Sequence, residues 1–136
     1  MSDRLCLIVD DEPAIRSFLS AILESEHFRT LEAGSAAEGL KIVQRLSGRI
    51  ALILTDINMP GEMDGIDLAS SIVDSFPSVP VILMSGYEKP ALLNRTGALE
   101  FIPKPFTPEV IIAAVRRVLA AVERLGSAGH GGTTAA

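Results

Sequence analysis

Short apolar runs alternate along this chain with segments whose apolar residues recur every three or four positions. RLCLIV (residues 4–9) is a near-continuous apolar run of strand length, and after DDEP the segment AIRSFLSAILES (14–25) places Ile15, Phe18, Leu19, Ile22 and Leu23 on one helical face. FRTLEA (28–33) predicts a second strand. SAAEGLKIVQRL (35–46) predicts a second helix, with Ser35 and Glu38 at capping-box spacing and Leu40, Val43 and Leu46 on one side. IALILT (50–55) is the third strand, and GIDLASSIVDSF (65–76) the third helix, with Leu68, Ile72 and Phe76 in line and Pro77 as its stop. VPVILMS (79–85) follows as a fourth strand. KPALLNRTG (89–97) predicts about two helical turns opened by Pro90 and closed near Gly97, and ALEFI (98–102) a fifth strand. Thr107 and Pro108 supply the cap and first turn of EVIIAAVRRVLAAVERL (109–125), whose Ile111, Val115, Val118, Val122 and Leu125 form a stripe.

Five strand–helix repeats with nearly continuous apolar strands predict an α/β fold. The sheet is parallel and five-stranded, with helices on both faces and right-handed crossovers. At 136 residues and 48% hydrophobic composition the chain holds one core, assigned to residues 1–125. GSAGHGGTTAA (126–136) has too little apolar surface to offset its ordering entropy and is expected to be a flexible tail.

Charge and composition exclude several function classes. A net charge of −5 and a pI near 5.0 oppose a phosphate backbone, and no Trp, one Tyr and five Phe leave little for base stacking, so nucleic acid is not an expected partner. The apolar runs are strand-sized, far below the roughly 18 residues that span a bilayer, and no signal-peptide pattern opens the chain. No membrane association is expected. Cys6 is the sole cysteine and lies inside an apolar strand, which fits a packed thiol and a cytoplasmic protein.

In open parallel sheets, sites form beyond the carboxyl ends of the strands. The first residues past those ends are Asp10 and Asp11, then Asp56, then Ser85, then Lys104. Each has an ordinary reading taken alone: helix capping for the acid pair, turn formation for Asp56 and Ser85, a solvated loop position for Lys104. Together they place three acids, a hydroxyl and an ammonium on one edge. Clustered carboxylates repel unless a cation joins them, and an all-oxygen donor set selects a hard ion such as Mg²⁺. A carboxylate nucleophile beside such an ion, a lysine and a hydroxyl suits phosphoryl transfer.

The motifs VDDEP, LTDINMPGEMDG, ILMSGY and FIPKPF, in this order and spacing, resemble the receiver domain of two-component response regulators over residues 4 to 124. The resemblance implies a doubly wound, flavodoxin-like sheet of order 2-1-3-4-5. It also implies an aspartyl phosphate on Asp56, donated by a phosphohistidine of a sensor histidine kinase or histidine phosphotransfer protein, and a downstream protein target. Asp11, Asp56 and the backbone carbonyl of Asn58 would then ligate Mg²⁺, with Asp10 acting through a water. Lys104 would pair with the phosphoryl group, and Ser85 and Phe101 would form a switch pair, Phe101 otherwise being a plain core aromatic.

Two departures from the family pattern stand out. MPGEMDG carries one residue more than the common MPxMDG, Gly61 or Glu62, which should push the loop outward. The segment between Ser85 and Gly97 is shorter than in chemotaxis-type receivers and resembles receivers attached to hybrid histidine kinases. With so short a helix there, the chain is expected to stay monomeric, and it is separately expected to be a stand-alone switch or phosphorelay intermediate. Two other classes compete. A haloacid-dehalogenase-type phosphatase would need a second acid where Asn58 stands and a nucleophile after the first strand. A pseudo-receiver that is never phosphorylated would not need the complete set of acids, hydroxyl and lysine.

Overall fold

β1 (Leu5–Val9), β3 (Ile50–Asp56) and β4 (Val81–Ser85) are the apolar runs of the sequence, and nearly every side chain in them is buried. β2 (Arg29–Ala33) and β5 (Glu100–Pro103) flank them and are only partly buried, as edge strands are. In this computed structural model, which describes residues 4–86 and 96–135 with side chains through 124, all pairings are parallel and the order is β2-β1-β3-β4-β5. Pro103 can close β5 because an edge strand leaves one row of backbone groups outside the ladder.

Alternate residues of each central strand enter opposite cores. Leu7, Val9, Ile53, Val81 and Leu83 pack with α2 (Ala36–Leu46) and α3 (Gly65–Ser75). Cys6, Ile8, Leu52, Leu54, Ile82 and Met84 pack with α1 (Pro13–Ser25) and α4 (Pro108–Ala135). A strand buried on both faces has no polar side, which is why its sequence reads as a continuous run.

Helix ends follow local chemistry. Ser35 caps α2 by accepting from the Glu38 N–H, but the Glu38 carboxylate turns to the Gly34 N–H instead of closing the box. Asp64 and Asp67 form a complete capping box at α3. Thr107 accepts from Val110 N–H at the start of α4. α1 ends in a Schellman motif: Phe28 N–H donates to Leu23 O and His27 N–H to Glu24 O, with His27 at φ 70°.

Three expectations meet a different outcome or none. Phe18 shares the apolar stripe of α1 yet is 40% exposed, because it lies at the rim of that face, stacked on Phe106. Helix α4 continues to Ala135 through the Gly- and Ala-rich segment expected as a flexible tail. Extending a helix already nucleated by packing needs only one more hydrogen bond per residue, so the composition argument does not terminate it. The short helix expected within 89–97, together with the surface built on it, lies largely outside the described residues.

Candidate functional site

Register alone brings the strand ends together. Val9 pairs with Thr55, so Asp10, just past β1, stands beside Asp56, the last residue of β3. Asp10 N–H donates to Ala33 O, Ile57 N–H to Met84 O and Lys104 N–H to Ser85 O at 2.7 Å. Four strand ends are thereby levelled along one edge. The structure gathers Asp10, Asp11, Asp56 and Lys104 there, with Ser85 and Asn58 joined beside them.

One ligand oxygen from each of Asp10, Asp11 and Asp56 lies within 4.8 Å of the others. Lys104 Nζ is 3.0 Å from Asp10 Oδ2 and 3.3 Å from Asp56 Oδ1. Asp10 is wholly buried, Asp56 nearly so, and Asp11 is exposed. Asn58 Nδ2 donates to Ser85 Oγ at 3.3 Å, with Ser85 buried and Asn58 exposed. Phe101 is half-buried and packs on the α2–α3 side of the sheet. Gly61 and Glu62 are exposed, as an outward loop requires, and Gly61 takes φ 115°.

Burial raises the Asp56 pKa above its ordinary value, Lys104 opposes that shift, and Asp10 and Asp11 reinforce it. For Lys104, burial pulls the pKa down, but its hydrogen bond and charge pairing with Asp10, then with Asp56, leave it raised. Lys104 is therefore an ammonium shared between two acids. Among the described residues, one ammonium faces three carboxylates at this edge, and the oxygen-only donors fit a hard divalent ion.

The capping reading of the acid pair does not hold. The N-cap of α1 is Glu12, which makes no side-chain cap bond, and Asp10 Oδ1 instead accepts from the Glu12 N–H at 2.9 Å. Two contributors escape a reading of strand ends. Arg16, in α1, donates from Nη1 to the Asp10 carbonyl at 2.8 Å and from Nε to Glu32 Oε1 at 3.1 Å. Gly65 donates its N–H to Ile57 O, and a Cβ there would sit 1.9 Å from the Asp56 carbonyl oxygen. The first had no signal beyond a lone cation early in α1; the second was visible as the glycine of MDG, without its reason.

Residues 6–116 match the family model of the response regulator receiver domain. The chain belongs to the response regulator receiver domain family. It is 33% identical over 116 residues to the sensor kinase CckA of Brucella abortus, covering 83% of this chain and 12% of that protein. Among solved structures it resembles a CheY-like receiver domain protein from Methanospirillum hungatei, with a TM-score of 0.82, 29% identity, and coverage of 90% of this chain and 98% of that one. It also resembles TrrA from Thermotoga maritima, solved with Mg²⁺ and BeF, with a TM-score of 0.75, 30% identity, and coverage of 85% and 98%. The receiver spans 12% to 50% of the length of the curated relatives it matches. Among the described residues no helix is long and apolar enough to cross a membrane. The family assignment and the Asn58 amide, which hydrogen-bonds Ser85 and carries no titratable proton, both stand against a haloacid-dehalogenase-type phosphatase.

Proposed function

We propose that this receiver accepts a phosphoryl group on Asp56 from a phosphohistidine, and that the resulting charge switches the surface presented to a downstream protein. The observation that carries the reading is the Asp56 carboxylate at a strand end, 3.3 Å from the Lys104 ammonium and beside two further acids. An Asp56 Oδ attacks phosphorus, an O–P bond forms, the P–N bond of the phosphohistidine breaks, and its electron pair returns to the imidazole nitrogen. Lys104 pairs with the transferred group's oxygens, releasing part of its contact with the acids, and the Ser85 hydroxyl donates to another oxygen. Asp11, Asp56 and the Asn58 carbonyl would hold Mg²⁺, with Asp10 contributing through a water. A bound Mg²⁺ supplies positive charge that offsets both the carboxylates and the phosphoryl oxygens.

When Ser85 turns toward the phosphoryl group it gives up its bond to Asn58, and the space it leaves permits Phe101 to change its burial. The donor is a sensor histidine kinase or a phosphotransfer protein, met in the cytoplasm. Its docking surface borders the site: Phe18 and Phe106 stack with centroids 6.1 Å apart, and with Ile15, Pro105 and Lys104 they line an open hollow of about 450 Å³. Apolar surface next to the acceptor lets a partner bury area while its histidine reaches Asp56.

Acetyl phosphate with Mg²⁺ tests the reading without a partner. The expected product is a base-labile phosphoprotein, detected by intact mass, that is absent in Asp56→Asn. Labelling that persists in Asp56→Asn, or that maps to a Ser or His, would overturn it.

A further inference from the structure

Asp10 and Asp11 are joined by one peptide group, and the carbonyl of that group is the one Arg16 holds. Nη1 of Arg16 is 2.8 Å from the Asp10 oxygen, and its Nε is fixed 3.1 Å from Glu32 on β2. The Asp10 side chain is already fixed through Lys104 and the Glu12 N–H, and its own N–H through Ala33. What remains free to rotate between the two acids is the plane of their shared peptide, set by ψ of Asp10 and φ of Asp11. Asp11 is exposed, and none of the hydrogen bonds described for the structure involves its side chain. Its direction therefore depends on that plane.

We infer that Arg16 is a positioning residue for the acidic site: by clamping the Asp10 carbonyl it aims the Asp11 carboxylate at the same point as Asp56, and Glu32 aims Arg16 in turn. The inference rests on the metal-assisted reading of Asp56 given above. The Arg16–Glu32 pair is partly exposed, with side chains 20% and 40% accessible, so as a surface ion pair it adds little to stability. Its role is orientation.

Charge and position predict opposite signs. A guanidinium near a divalent ion repels it, so if Arg16 acted on the site merely as a nearby charge, its removal would tighten Mg²⁺ binding. If it acts by aiming Asp11, its removal weakens binding, by about tenfold, the lower end of what groups supporting metal ligands contribute.

The test is Mg²⁺ affinity measured by titration calorimetry on wild type, Arg16→Met, Arg16→Lys and Glu32→Gln, with Asp11→Ala as the control that removes the ligand itself. Arg16→Met should raise Kd about tenfold. Arg16→Lys can reach the carbonyl but not also Glu32, and should recover most of that loss, while Glu32→Gln should fall between. Circular dichroism melts separate aiming from folding, because the affinity loss should exceed anything a modest change in melting temperature explains. An Mg²⁺ Kd in Arg16→Met within twofold of wild type, or tighter, overturns the inference. If Arg16→Met does not fold, wild-type affinity in Glu32→Gln overturns it equally. Absence of Mg²⁺ binding in the wild type would instead remove the underlying functional reading.

Discussion

Removing the Asp56 charge should stabilise the metal-free protein, although it abolishes the proposed chemistry. At 3.3 Å and an effective dielectric constant of about 20, Lys104 attracts the Asp56 carboxylate by about 5 kcal/mol. Asp10, within 4.8 Å, repels it by about 3.5 kcal/mol on the same scale, and Asp11 adds a repulsion that water screens. These opposing effects nearly cancel, so the cost of burying the carboxylate decides the outcome, consistent with burial being the largest cause of its raised pKa. Asp56→Asn should therefore gain on the order of 1 kcal/mol, or about 3–5 °C in melting temperature, in EDTA near neutral pH. The pH dependence has a definite sign. A carboxyl whose folded pKa is raised binds its proton more tightly in the native state, so it costs stability as pH climbs from its ordinary 3.8 through the folded value. Below 3.8 wild type and variant should converge; above the folded value the gain is complete. Saturating Mg²⁺ should reverse the order, because only the wild type keeps the charged ligand. Thermal melts across pH with and without Mg²⁺ check all three statements. An Asn variant that melts at or below wild type in EDTA at neutral pH would refute the balance of charges described here.

Gly65→Ala forces a Cβ to within 1.9 Å of the Asp56 carbonyl oxygen, so the backbone beneath the acceptor must move. A loss of at least about 2 kcal/mol by chemical denaturation, together with slower acetyl phosphate labelling, is expected; a near-neutral result would contradict the close approach. His27→Gly should do the opposite, adding about 1 kcal/mol by relieving the left-handed φ of 70° in the Schellman motif, as read from the denaturation midpoint. Phe18→Ala should slow phosphotransfer from a cognate kinase about tenfold by removing a docking anchor, while acetyl phosphate labelling stays at the wild-type rate. Equal slowing of both would place Phe18 in the folding of the site and not in partner contact.

Much of this was legible before any coordinates. Continuous apolar strands announced a sheet covered on both faces, and the rule that sites lie past the carboxyl ends of parallel strands singled out Asp10, Asp11, Asp56, Ser85 and Lys104. The two flanking strands were harder to bound, since an edge strand such as β5 is held on one side only and Glu100 to Pro103 carries mixed residues. Contributions made through backbone atoms left no trace in side-chain chemistry. The bond from Arg16 to a carbonyl depends on where α1 lies relative to β1, which no local pattern encodes. Gly65 was visible as a letter, yet the reason for it, an oxygen 1.9 Å from its absent Cβ, exists only once α3 is docked. Phe18 obeyed the helical period and still faces outward, because periodicity fixes a face and not how far the neighbouring layer extends.

The pairing of Lys104 with Asp10 has a consequence for how the molecule comes into being. Ninety-four positions separate the two residues, and the lysine arrives with the edge strand β5. A growing chain that has completed the first four strands already carries Asp10, Asp11 and Asp56 at the emerging edge but not yet Lys104. Closure of the sheet and arrival of that charge are one event: the acids are faced by Lys104 only in a chain whose fifth strand has docked.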